Sequence, residues 1–490
     1  LKSMKTTENH SQALPSSFGS EVTVRLTRLV AETLYRHMRA DSAKEQLAFA
    51  LASPARTTSG TVLIVNELLL PAPEDLGEQT SVSLCPTADF QGLVYFQALQ
   101  RQKVIIEFHS HPGGGVPGFS GTDQRHSRLN AEYIRDRLPA PMTLGLVVGN
   151  NTFTAFDGSI FDRHLGQFRP INRLEVLGRP SEIRYMGEAV ASGFTPNEQY
   201  DRQARIPLWN QLGLERQRIG IAGLGGNGSP LFETLIGIGA GRQGWLAVID
   251  PGLIESSNLP RMPFAYPDQV GVPKVAAAAA YGSRKSPGTP VYPFPCQFRE
   301  TAVQNQLKAA TVIIGCGDND GLRKELSQHA VRYGIPYIDL GCDIQPDGEG
   351  WIAAGQVSVA LPGENACPVC RNGFDAAQAA LDQMDDIAQA QSAARGYFPK
   401  AAAATPSIAN LNQLTVHYAL AQLLSLVNGP QFAEWDYLYL NPVTGRTIPA
   451  RTERRADCPL CGPDGCLNAG DPIPGKGNRA PALRLLTQTA

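Results

Sequence analysis

No apolar stretch in these 490 residues approaches the roughly 20 needed to cross a bilayer, and Leu1–Ser20 is polar, without the apolar segment of a secretory leader. The expectation is a cytoplasmic chain with no membrane partner. Charge of one sign is equally scarce, since 43 Lys+Arg against 45 Asp+Glu leave −2, which argues against nucleic acid as the main ligand. Nine cysteines are too few to staple a disulfide scaffold. Charged residues make up only 18% and hydrophobic residues 42%, a balance that excludes a disordered chain. What the sequence does have is length, enough for two or three domains at roughly 150 residues each.

Apolar residues at helical spacing from Glu21 to about Met38 (Val24, Leu26, Leu29, Val30, Leu34) predict a helix. Short β-rich runs follow at Leu47–Leu51, Thr61–Leu69 and Val104–Phe108. After them come a helical segment from Asp123 to Leu138 and two strands, Met142–Val148 and Thr152–Phe156, joined at Asn150-Asn151. That hairpin is expected to close an α+β domain over residues 20–165. Residues 166–197 lack periodicity and predict a linker. From Arg218 the order becomes strand, glycine turn, helix, strand, which predicts a doubly wound α/β domain over residues 198–470. Residues 471–490 predict a mobile tail rich in Pro and Gly.

In Glu107-Phe108-His109-Ser110-His111-Pro112 the two histidines alternate at strand spacing, so both imidazoles leave the same face. Asp123, three residues after Ser120, supplies a third ligand for zinc and leaves a fourth position open, the signature of catalysis rather than structure. Zinc polarises a carbonyl, but a carboxylate must still move the proton and a donor must steady the oxyanion. His126 is expected on a helix surface. Over about residues 20–165 this pattern resembles the JAMM (MPN) metallopeptidases, whose motif is a distant Glu, then His-x-His-Pro, a gap, and Ser-x-x-Asp. The resemblance implies a zinc peptidase with His109, His111 and Asp123 as ligands and Ser120 as oxyanion or water donor. Glu45 fits the family's upstream base by context, and Glu107 is the rival candidate.

The second motif, Gly223-Leu224-Gly225-Gly226-Asn227-Gly228, follows a strand and opens a helix, so backbone N–H groups and the helix dipole can receive a phosphate chain. Alone it suits a dehydrogenase equally well, with Asp250 on a ribose. The downstream Ser257-Asn258-Leu259-Pro260-Arg261, Gly271-Val272-Pro273-Lys274 and Gly317-Asp318-Asn319 separate the two readings. Attack of a carboxylate on an α-phosphate needs cations to neutralise both anions and an acid to hold magnesium. Cys367-Pro-Val-Cys370 and Cys458-Pro-Leu-Cys461 suggest a structural zinc.

Over about residues 198–465 the chain resembles the ThiF/MoeB/HesA family, the adenylating core of ubiquitin-activating enzymes. The resemblance implies a Rossmann-like domain in which Gly223, Gly225, Gly226 and Gly228 cradle ATP and Asp250 holds its ribose. It further implies that Asn258, Arg261 and Lys274 bind phosphates and Asp318 binds Mg2+. The four cysteines would form a closed zinc knot with Cys466 nearby. Arg202, in Tyr200-Asp201-Arg202-Gln203, matches an arginine that reaches the partner subunit's nucleotide, which implies a homodimer. Two departures stand out. Asp250 is followed by Pro251 and Gly252 rather than an acidic pair, and the loop of about Phe374–Thr405 has no cysteine to take a thioester. Direct transfer to a partner, an oxyester on an unusual nucleophile such as Ser392, and a scattered thiol are the remaining routes, with Cys296, Cys316 and Cys342 expected as buried apolar residues.

Together the resemblances imply a bifunctional bacterial enzyme. It would adenylate the C-terminal glycine of a ubiquitin-like protein, pass it to a conjugating-enzyme-like partner, and cleave precursors or isopeptides, with antiphage defence as one setting. Sulfur-carrier activation in cofactor or cysteine synthesis is the alternative.

Overall fold

The computed structural model describes residues 18–188, 197–348, 350–384 and 406–472. The first unit begins with strand β1 (Glu21–Thr27) and helix α1 (Arg28–Met38). The helix expected from Glu21 is therefore half strand. Glu21-Val-Thr-Val-Arg-Leu-Thr27 alternates, and its β-branched residues pair parallel with two neighbours. Then come β2 (Leu47–Arg56), β3 (Gly60–Leu69), β4 (Leu76–Gln79), β5 (Leu84–Pro86), α2 (Ala88–Arg101), β6 (Val104–His111) and α3 (Gly121–Arg137). A Cβ on Gly60 would stand 1.9 Å from the Glu21 carbonyl oxygen, so only glycine lets β3 approach β1 there.

The unit continues with β7 (Leu144–Asn150), β8 (Phe156–Asp162), β9 (Gln167–Pro170), β10 (Arg173–Leu177) and β11 (Glu182–Tyr185). Two expectations change here. The hairpin's second strand begins only at Phe156, because the Asn150 side chain accepts from the Thr154 and Ala155 amides and holds the turn open over residues 151–155. The supposed linker of residues 166–197 supplies three strands to the sheet, whose order is β11-β10-β1-β3-β2-β6-β7-β8-β9. Leu174 and Val176 of β10 are buried in the same core as α1. Four-residue strands such as β9 are too short to show a period in sequence.

The second unit runs α4 (Asp201–Ala204), α5 (Gln211–Glu215), β12 (Arg218–Ala222), α6 (Gly228–Gly237), β13 (Trp245–Ile249), α7 (Lys274–Lys285), β14 (Val291–Phe294), α8 (Thr301–Leu307), β15 (Val312–Gly315) and α9 (Asp320–Tyr333). It ends with β16 (Tyr337–Asp347), β17 (Gly350–Ala360), α10 (Ala376–Asp382), α11 (Ala409–Asn428), β18 (Tyr437–Asn441) and β19 (Arg446–Ala450). The sheet order is β14-β13-β12-β15-β16-β17-β18-β19, parallel from β14 to β16 and antiparallel beyond. Among the described residues, no helix is long and apolar enough to cross a membrane.

The two units share a core. Ala55, Val62 and Ile64 of the first pack with Trp245, Leu307, Leu326 and Tyr333 of the second. Fully buried Arg25 pairs with fully buried Glu175 at 3.0 Å and donates to the carbonyls of Lys308, Tyr333 and Ala310 across the junction. Glu175 also accepts from Arg218 of β12. Asp471, expected in a mobile tail, is anchored by Lys308 at 2.8 Å and by the Tyr333 hydroxyl at 2.9 Å. Removing one partner from a buried ionic network leaves the others uncompensated. Glu175→Ala is therefore expected to cost about 3–5 kcal/mol of stability in urea unfolding. A loss within 0.5 kcal/mol would show that the guanidiniums of Arg25, Arg173 and Arg218 do not depend on it.

Candidate functional site

At the carboxyl ends of the parallel strands, the turn after β12 and the turn after β15 flank the point where the strand order reverses, the usual ligand crevice of such sheets. Gly223 has φ +92°, and a Cβ there would lie 3.0 Å from the Gly317 nitrogen, so the glycine turn and the segment leading into Asp318 touch. At Gly228 a Cβ would meet the Gly223 carbonyl oxygen at 1.8 Å, and at Gly226 it would meet Arg261 Cδ at 2.8 Å. Gly225 is different, because a Cβ there would meet nothing within 4 Å. The protein itself does not require that glycine. Its bare backbone leaves room for a ligand, as a phosphate cradle would.

Asp250, buried at the end of β13, accepts from the amides of Leu224 (2.7 Å) and Gly252 (2.7 Å), one on each oxygen. Lys274, the first residue of α7, brings its Nζ to 3.8 Å from Asp250. Asn258 is buried, and its side-chain oxygen accepts from the Glu255 amide at 3.2 Å, which holds the turn that carries Arg261. Asp318 is exposed beside the glycine loop. The crevice thus gathers Gly223, Gly225, Gly226, Gly228, Asp250, Arg261, Lys274 and Asp318. Arg202 is exposed on α4, a helix steadied by buried Tyr200 against Gly239.

One asparagine escaped the sequence reading. Asn412 of α11 donates to Asn227 in the glycine loop at 2.7 Å, and Gly226 lies against the same Asn412 side chain. A buried polar residue within the apolar run of α11 was the available signal. Cys342 is half-buried rather than buried, with its Sγ 3.4 Å from Asn227 Oδ1 and 3.2 Å from Thr415 Oγ1. Cys296 is also half-buried, whereas Cys316 is buried as expected. Ser392 lies outside the described residues.

The four paired cysteines converge. Cys367 Sγ lies 3.7 Å from Cys370 and 3.6 Å from Cys458, and Cys370 lies 3.5 Å from Cys461. Tetrahedral zinc with bonds of about 2.3 Å sets sulfurs about 3.8 Å apart, so these residues fit the ion. Cys466 is buried in the same cluster, outside the four.

On the first unit, His109, His111 and Asp123 place ligand atoms within 4.8 Å of one another. The two Nε2 atoms are 3.0 Å apart, and Asp123 reaches His111 at 3.3 Å and His109 at 3.7 Å. Strand alternation along β6 and the start of α3 create this convergence. Ser120 caps α3, its Oγ accepting from the Asp123 amide (3.1 Å) while its own amide donates to Asp123 Oδ2 (2.7 Å). Burial raises the Asp123 carboxyl, but hydrogen bonds from His111 and Ser120, with His109 beside it, outweigh that and hold it well below the usual carboxylate range.

Glu45 and Glu107 take different sides of this cluster. Glu45 Oε1 lies 3.8 Å from His111 Nε2, on the ligand side, and burial pushes its carboxyl up against the pull of the histidines. Glu107 stands 3.6 Å behind His109, at the buried Nδ1 that has no hydrogen-bond partner. A carboxylate behind a histidine is the arrangement that orients a metal-ligating imidazole. The donor set of two imidazoles and a carboxylate fits an open zinc site. His126 is exposed on α3.

The model of the ThiF family matches residues 200–460, just over half of the chain. The chain belongs to the ThiF family. The chain is 30% identical over 146 residues to the SAMP-activating enzyme E1 of Haloferax volcanii, a match that spans 29% of this chain and 53% of the relative. It is 30% identical over 142 residues to the adenylyltransferase and sulfurtransferase UBA4 of Yarrowia lipolytica, spanning 28% of this chain and 35% of the relative. The chain thus spans about half or less of the curated relatives it matches. Among solved structures, E. coli MccB with ATP is similar at a TM-score of 0.42 and 18% identity, covering 55% of this chain and 75% of that one.

Proposed function

We propose that this ThiF-family chain uses ATP to adenylate the C-terminal carboxylate of a small ubiquitin-like or sulfur-carrier protein, and that its first unit is a JAMM-type zinc peptidase acting on the same class of protein. The observation that carries the first half is the crevice at the strand-order reversal, where a glycine loop with vacant space at Gly225 meets Arg261, Lys274 and Asp250. Asp250 has one lone pair on each oxygen left for ribose hydroxyls after its two amide bonds. Arg261 and Lys274 offset the charge of two approaching anions, a carboxylate and a phosphate chain. Bound Mg2+, held by Asp318, would supply further neutralisation of the departing pyrophosphate.

The cluster of His109, His111, Asp123 and Glu45 supports the second half. Zinc there would polarise the scissile carbonyl. Glu45 accepts the proton of the attacking water and returns it to the leaving amine, the Ser120 hydroxyl donates to the developing oxyanion, and Glu107 fixes the His109 ring. A homodimer through Arg202 and a conjugating-enzyme-like recipient belong to this reading.

Two observations favour a sulfur-carrier route as the second reading. The matched relative from Yarrowia lipolytica is named a sulfurtransferase as well as an adenylyltransferase, and Cys342 sits beside the glycine loop. ATP–pyrophosphate exchange decides the common core. A ubiquitin-like or sulfur-carrier partner ending in glycine is expected to stimulate exchange at least tenfold. Failure of every such partner, with ATP still bound, would remove the adenylation half.

A further inference from the structure

A cleft of about 390 Å³ opens in the first unit and belongs to neither site above. It is lined by Arg28, Glu32, Tyr35 and Arg36 of α1 and by Arg39 just past its end, with Phe153, Glu182 and Arg184 facing them. The α1 residues pack on the sheet face that buries Ala48, Ala50 and Phe108, whereas Leu47, Phe49 and Ile105 point to the α2 and α3 face with His109 and Glu107. The cleft and the histidine cluster are therefore on opposite faces. Its size lies within the range of small-molecule sites.

Its lining is net positive. Four arginines against two glutamates leave a net +2. Arg28 is engaged by Glu182 at 2.9 Å and by the Pro180 carbonyl, Arg184 by Glu182 at 3.1 Å and the Thr154 carbonyl at 2.7 Å, and Arg39 spends its Nε on the Thr152 carbonyl, whereas Arg36 has no ion pair among the described residues, so Arg36 and the outer nitrogens of Arg39 are the donors left for a ligand. Two lining groups lack any partner although buried, the Tyr35 hydroxyl and Arg28 Nε. Such groups cost free energy unless a ligand or water meets them. Burial raises the Tyr35 pKa, so its hydroxyl remains a donor. The cleft wall is also fixed in place, since Phe153 is held at φ +54° with its ring edge-on to Tyr35 at 5.7 Å.

We infer that this cleft binds a phosphate dianion, free or as the monoester of a small molecule. A phosphomonoester carries about −1.5 to −2 at neutral pH and matches the surplus of +2, whereas a carboxylate carries half of it. Guanidinium forks donate paired N–H groups to phosphate oxygens, and the hydroxyl of Tyr35 adds a neutral donor. The aliphatic stems of exposed Arg36 and Arg39 offer apolar surface to the organic part of an ester.

The test uses the full chain with its nucleotide crevice saturated by magnesium and a non-hydrolysable ATP analogue. Inorganic phosphate and glycerol 3-phosphate are then titrated calorimetrically. Saturable uptake of one phosphate per chain is expected, weakened at least about tenfold in Arg36→Ser/Arg39→Ser, whose sites are exposed and whose thermal melting should be unchanged. Tyr35→Phe should weaken it several-fold. Tighter binding of the ester would assign the arginine stems to an organic moiety, and equal binding would assign the cleft to the free ion. No saturable uptake, or uptake equal in the double variant, overturns the inference.

Discussion

Glu45→Gln is expected to slow cleavage of a ubiquitin-like fusion by about 10²–10⁴-fold while leaving bound zinc unchanged. The amide keeps the shape and the hydrogen-bonding reach of the side chain but cannot accept a proton. Glu45 is the carboxylate on the ligand side of His111, at 3.8 Å, and no ligand atom of the cluster belongs to it. Glu107→Gln is the matched control. Glu107 faces the rear nitrogen of His109, so its loss should act through metal affinity, at about 10–100-fold, and excess zinc should restore part of the rate. An active Glu45→Gln beside a dead, zinc-loaded Glu107→Gln would reverse the two assignments.

Arg261→Ala should lower ATP–pyrophosphate exchange by about 10²–10³-fold, the scale of removing one fixed donor from a charge-developing transition state. Arg261 is chosen because its stem lies against Gly226, where a Cβ would be 2.8 Å away, so the guanidinium is tethered to the phosphate loop rather than free in solvent. Arg261→Lys keeps the charge but loses the planar fork, and an intermediate rate is expected. Urea unfolding of both variants should match the parent, because Arg261 is only partly buried and no ion pair among the described residues depends on it. An unchanged exchange rate would place the phosphate chain elsewhere.

Much of this molecule was legible in the residues because local chemistry fixed it. The order of strand, glycine turn, helix and strand expected from Arg218 appears as β12, α6 and β13. The Ser120-x-x-Asp123 spacing became a capping box, a purely local motif that happens to aim a carboxylate at two histidines. Failures cluster where the partner is remote. Residues 166–197 carry too little period to announce strands, and Arg173–Leu177 becomes one only because β1 and β11 flank it. Glu21–Thr27, expected as the start of a helix, is a strand because parallel neighbours on both sides pair with it.

By itself the sequence determined the donor types, namely two histidines at strand spacing, two cysteine pairs and a glycine loop ahead of a helix, because spacing of three or fewer residues is set by backbone geometry. Tertiary structure alone decided that Glu45 lies beside His111 Nε2 and Glu107 beside His109 Nδ1, that Asn412 braces the glycine loop from 185 positions away, and that Arg25 and Glu175 weld two units into one core. Each of those contacts closes a long loop of chain, and nothing in a local pattern records which distant surface will be there to meet it.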